Sequence, residues 1–102
     1  MVEDPFICTY VRNVLARRGY QFLLADVRHG IEMIERSEPK IAMLITNRPE
    51  AFLSVSERVP VLYLAAFPDL DLASHFRACR VLTKPFRAEQ LVEAVRGLAG
   101  SK

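Results

Sequence analysis

The run Ile41-Ala42-Met43-Leu44-Ile45 decides the fold, because five consecutive apolar residues leave no face for water. A strand that is apolar on both faces belongs in the middle of a parallel sheet covered by helices. Working outward, Pro60-Val61-Leu62-Tyr63-Leu64-Ala65 reads the same way, with Pro60 tolerated at the strand entry. Val81-Leu82-Thr83 is a short last strand. On the amino-terminal side, Tyr20-Gln21-Phe22-Leu23-Leu24-Ala25 is apolar with aromatic residues and runs into the polar turn Asp26 to Gly30, so it too is expected to be a strand.

Helical spacing fills the intervals. From Pro5 to Arg18, the residues Phe6, Ile7, Val11, Val14 and Leu15 recur at three and four, as on one helix face. Asp4 can cap that helix, Pro5 suits its first position, and Gly19 stops it. A second helix is expected from Ile31, ended by Ser37-Glu38-Pro39, and a weak helix or loop over Glu50 to Arg58. Leu70 to Ala78 is expected to be helical, and Ala88 to Leu98 is the last helix, with Leu91, Val92 and Val95 inward. Alternating helix and strand with short connections argues a parallel α/β sheet with helices on both faces.

Composition narrows the function classes. The 102 residues suit one small domain, and 51% apolar against 25% charged residues is a globular mixture. A net charge of +2 is too small for an extended phosphate-backbone footprint, so nucleic acid is not the expected partner. A binding role for Arg12, Arg17, Arg18 and Arg28 would have to show salt-dependent retention on DNA. Cys8 and Cys79 have no C-x-x-C context and read as reduced thiols of a cytoplasmic protein. No stretch reaches the length of a membrane span, and His29 and His75 lack partners at metal-ligand spacing.

In such sheets ligands bind at the carboxyl ends of strands. Those ends are Glu3-Asp4 before the first helix, Ile45-Thr46-Asn47, Ala65-Ala66, and Lys84-Pro85. With Gly19-Tyr20, Pro39, Pro49, Val59-Pro60-Val61 and Phe86, their order and spacing resemble the receiver domain of response regulators, the CheY-like family, from Val2 to about Gly97. The resemblance implies a flavodoxin-like three-layer sandwich with strand order 2-1-3-4-5 if the first strand is present. It also implies one receiver-like domain over 1–102, shortened at its amino terminus, since only Met1 and Val2 precede Glu3 where a strand has about five or six residues. Direct pairing of the flanking strands, an edge completed by a partner chain, and a start further upstream all stay open.

Receivers transfer a phosphoryl group to their own aspartate, using Mg²⁺ held by that carboxylate and an acidic pair. In the register set by Asn47 and Pro49, the position of the aspartate is Ile45, which has no lone pair for phosphorus or metal. The switch hydroxyl of the family corresponds to Ala65, and the aromatic residue that moves with it corresponds to Val81. Lys84 is kept, by resemblance its bond to Pro85 is cis, and it reads first as a structural relic that pairs with Glu3 or Asp4 at the top of the sheet, with anion or metal binding as the other reading. Glu3 and Asp4 match the acidic pair, but without a third carboxylate they would bind Mg²⁺ weakly, and they also read as a cap and first-turn charge for the helix at Pro5.

The resemblance therefore implies a degenerate receiver in a two-component phosphorelay, not an enzyme, with no required cofactor, acting as a phosphorylation-independent interaction module. Phe86, Gln90, Glu93 and Arg96 fall on the usual contact face of the family, where each also reads as part of an ordinary amphipathic helix. The expected partner is a signalling protein or another receiver, with a homodimer left open. The alternative is a receiver that still binds phosphate or Mg²⁺ and is phosphorylated at a different residue.

Overall fold

The computed structural model describes residues 1, 4–21, 23–37 and 40–99. Its sheet has three parallel strands, β1 (Leu44–Thr46), β2 (Val61–Ala65) and β3 (Cys79–Thr83), in that spatial order. Leu44 pairs with Val61, and Val61 pairs with Cys79. Four α-helices and a 3₁₀ helix complete the described elements: α1 (Pro5–Ala16), α2 (Val27–Arg36), the 3₁₀ turn Pro49–Val55, α3 (Leu70–Ala73) and α4 (Ala88–Ala99).

Strand alternation sends successive side chains into two separate cores, as a helix-covered sheet requires. Ile45, Leu62, Leu64 and Leu82 meet Val11 and Leu15 of α1 and Leu91, Val95 and Leu98 of α4. Leu44 and Val61 meet Ile34 of α2, Phe52 and Val55 of the 3₁₀ turn, and Phe76. The central strand β2 is buried along Val61–Leu64, which explains why its sequence shows no polar alternation.

Helix α1 begins as its sequence directs. The Asp4 carboxylate accepts from the Phe6 N–H at 2.8 Å, with Pro5 in the first turn where no donor is missed. The helix ends at Ala16 rather than Arg18, and Gly19 takes φ +86°, the left-handed conformation that costs glycine little. Its buried residues are Cys8, Val11 and Leu15, while Phe6 is 86% exposed. The expected place of Phe6 on the inner face is thus corrected: Cys8 takes it.

Three further expectations change. Helix α2 starts at Val27, not Ile31, because Asp26 caps it through the His29 N–H at 2.8 Å, so residues 27–30 are first turn rather than loop. Helix α3 stops at Ala73, short of Ala78, where the Ser74 hydroxyl donates to the Asp71 carbonyl at 2.6 Å and competes with helical bonding. Strand β3 starts at Cys79, two residues before Val81. The Glu38-Pro39 breaker lies outside the described residues, and Ser37 ends α2 at φ 55°.

The segment Tyr20 to Ala25 does not form a strand among its described residues. A strand needs a ladder, and the described bonds here do not make one. The Met1 ammonium group donates to the Leu23 carbonyl at 2.6 Å and the Ala25 N–H donates to the Met1 carbonyl at 3.3 Å, so both bonds end on one residue. Likewise β1 runs over Leu44–Thr46 instead of Ile41–Ile45, with Ile41 and Met43 only half-buried.

Candidate functional site

The carboxyl ends of the three strands form one end of the sheet, and backbone pairing fixes which residues meet there. Ala65 stands opposite Thr83, and the Lys84 N–H donates to the Ala65 carbonyl at 2.8 Å, the bond that closes this last pair of the parallel ladder. Thr46 stands opposite Tyr63, which leaves the end of β1 two residues short of the end of β2. The structure thus brings Ala65 and Lys84 together. The Lys84–Pro85 peptide bond is cis.

Ile45 lies one residue before the end of β1, 6% exposed, in the core shared with α1 and α4. A phosphoacceptor has to reach solvent and a metal, and this position reaches neither. Asp4 is exposed and caps α1, while Glu3 lies outside the described residues. Among the described residues no group of three His, Cys, Asp or Glu is placed to hold a metal ion. Ala65 is half-buried and Ala66 exposed, without a hydroxyl at either position. Val81 is half-buried within β3.

Polar groups at the strand ends mostly close turns. The Thr46 hydroxyl, in a fully buried residue, accepts from the Arg48 N–H at 3.0 Å and stops β1. The Tyr63 hydroxyl accepts from the Asp69 N–H at 3.2 Å, and the Asp69 carboxylate accepts from the Leu72 N–H at 3.0 Å. These bonds hold the loops down over the sheet. Tyr63 was legible only as an apolar strand residue, although a buried tyrosine must find a partner for its hydroxyl.

Removing one such closure should be measurable. Thr46→Val keeps the shape but deletes the acceptor for the Arg48 N–H, and it is expected to cost about 1 to 2 kcal/mol in urea unfolding followed by circular dichroism. Thr46→Ser, which keeps the hydroxyl, isolates the loss of one methyl group.

The expected contact-face residues sit at one side of this end. Phe86 is half-buried and meets the Tyr10 ring at a tilt of 55° with ring centroids 5.9 Å apart, and Gln90, Glu93 and Arg96 are exposed on α4. Gln90 has a structural task as well, since its Oε1 accepts from the Arg87 N–H at 2.8 Å and caps α4. The pairing of Phe86 with Tyr10 joins the α4 side to α1, a link that spacing along the chain does not reveal.

Away from the strand ends, His29 Nδ1 lies 3.0 Å from Asp26 Oδ1, both side chains exposed. The bond from the His29 backbone N–H holds the Asp26 carboxyl below its ordinary range. Neither Cys8 nor Cys79 is in a disulfide among the described residues, and burial pushes the Cys79 thiol up, away from the reactive thiolate. No helix among the described residues is long and apolar enough to cross a membrane. Comparison with family models, with curated proteins and with solved structures returns no match.

Proposed function

We propose that the chain is a degenerate response-regulator receiver with a flavodoxin-like fold, working in the cytoplasm as a phosphorylation-independent interaction module of a two-component phosphorelay. One observation supports the reading: at the strand ends where a receiver holds its phosphoryl pocket, the backbone pairing sets Lys84 beside Ala65 while the neighbouring strand offers the core residue Ile45. The cation of a phosphoryl pocket is kept, and the nucleophile and switch hydroxyl are replaced by hydrocarbon. Such a domain can signal only through its surface, and Phe86, Gln90, Glu93 and Arg96 are the surface proposed to meet a signalling protein.

Chemical phosphorylation tests the reading directly. After incubation with acetyl phosphate and Mg²⁺, intact mass is expected to be unchanged, and beryllofluoride with Mg²⁺ is expected to leave the amide resonances of Ala65 and Lys84 in place. A mass gain of one phosphoryl group, or selective shifts at those amides, would instead establish a receiver with a different acceptor.

A further inference from the structure

Strand β3 is an outer strand of the described sheet. The Val61 N–H donates to the Ala78 carbonyl at 2.9 Å and the Lys84 N–H to the Ala65 carbonyl at 2.8 Å, and these two bonds set the parity of its ladder. In a parallel ladder alternate residues turn their N–H and C=O to the neighbouring strand. Arg80 and Leu82 therefore bond to β2, while Cys79, Val81 and Thr83 turn their backbone groups outward, where no described hydrogen bond meets them. Such an edge is usually screened by a charged side chain. Arg80 is the one charge in Cys79–Thr83, and its side chain lies against α4, where a Cβ at Gly97 would collide with the guanidinium. Glycine weakens a helix, and here it makes room to hold that cation on the α4 side of the sheet. The outward backbone is left unscreened.

We propose that β3 pairs antiparallel with β3 of a second copy about Val81, joining the two sheets into one. That register sets Val81 against its own counterpart and Cys79 against Thr83, so the outward residues all meet as hydrogen-bonded pairs. Arg80 then stands opposite Leu82 of the second copy. Helix α4 starts just past the end of β3 and meets Arg80 at Gly97, so it runs back along the strand. Two strand residues span about 6.6 Å and four helical residues about 6 Å, so Glu93, one turn before Gly97 on the same flank of α4, is level with Leu82. Each Arg80 is thereby brought to the Glu93 flank of the other copy. Both side chains are exposed, and neither has an ion pair among the described residues. This charge match argues for a second copy over an unrelated strand, because one chain carries the cation on the edge and the anion beside it. A two-fold arrangement of this kind is closed, which limits the assembly to a dimer. The pairing shares Glu93 with the surface proposed for a signalling protein, but it does not rest on the receiver reading, since backbone parity and charge define it.

Sedimentation velocity on the full chain tests it. A reversible monomer–dimer equilibrium is expected, with Kd on the order of 100 µM as befits a small interface. Val81→Pro removes the central outward N–H without touching a bond to β2, as an outer strand permits, and is expected to weaken the dimer by at least about tenfold. Arg80→Glu and Glu93→Arg are each expected to weaken it by about fivefold to tenfold, and the double variant to return to within about threefold of the starting Kd. Thermal melts by circular dichroism verify folding, and the charge variants carry the test alone if Val81→Pro does not fold. A chain that stays monomeric up to about 1 mM would overturn the proposal. A dimer untouched by Val81→Pro would overturn it equally, since it would have to use another face. So would charge reversals that have no effect or fail to recover in combination, because the charges select the second copy and its register.

Discussion

Phe52→Ala is expected to cost about 3 to 5 kcal/mol, a large part of the roughly 5 to 15 kcal/mol that stabilises a domain of this size. Phe52 is fully buried and stands where the 3₁₀ turn breaks, at φ −113°. From there its ring joins Ile34 of α2 to Leu44 and Val61 of the sheet and to Phe76 after α3. Truncation leaves a cavity bordered by separate elements that cannot all close on it, and the cost of such a site grows with the void that remains. Urea unfolding followed by circular dichroism measures the effect. Phe6→Ala removes the same atoms from a residue that is 86% exposed, and a change within about 0.5 kcal/mol is expected there. Equal losses at the two sites would mean that the second core is not organised as described.

That contrast also shows where sequence reading succeeds and where it stops. By period Phe6 is the one expected inward, grouped with Val11 and Val14, while Phe52 falls in a stretch read only as a weak helix or loop. In the structure the buried face is Cys8, Val11 and Leu15, at i, i+3 and i+7, and Phe6 stands off it. Gly19, Asp4 and Pro5 were legible because their effects are local: a left-handed φ, a capping carboxylate and a missing donor act on the nearest turn. Asp26 had the same local signal, and reading residues 26–30 as a turn overlooked that His29, three residues on, would supply the capped N–H. Residues 20–25 failed for the opposite reason. Their composition suits a strand, but strand formation depends on a neighbouring strand, and their described bonds go to Met1 and to the Leu15 carbonyl instead. At the candidate site, Lys84 and Ala65 were legible through strand ends, whereas the turn closures by Thr46 and Tyr63 depend on side chains folding back on local backbone.

Ile45→Asp is expected to destabilise the domain strongly, and more so at pH 7 than at pH 4. The side chain is 6% exposed among Val11, Leu15, Leu62, Leu64 and Leu82, so the substitution both loses hydrocarbon burial and places a carboxyl group in an apolar core. Desolvation raises the pKa of such a group in the folded state above its unfolded value. Below the unfolded value of about 3.9 the carboxyl is neutral in both states, and only the loss of packing is felt. As pH rises past it, the unfolded chain ionises first and the penalty grows by about 1.4 kcal/mol per pH unit until the folded pKa is reached. A shift of two to three units therefore adds roughly 3 to 4 kcal/mol at pH 7 to the packing loss. Ile45→Asn, similar in size and without a titrating group, is expected to show the packing and polar cost with no such slope. Urea midpoints for both variants across this pH range measure the difference. The result discriminates because a receiver position invites the opposite outcome. If the introduced carboxyl reached solvent, Mg²⁺ or the Lys84 cation, its folded pKa would fall, stability would rise with pH, and acetyl phosphate would modify the variant. Burial of Ile45 inside the α1–α4 core argues against that reach. A steep loss of stability with rising pH would therefore mark position 45 as core, and under the proposed receiver reading it would mean that packing, and not one missing functional group, excludes phosphorylation there.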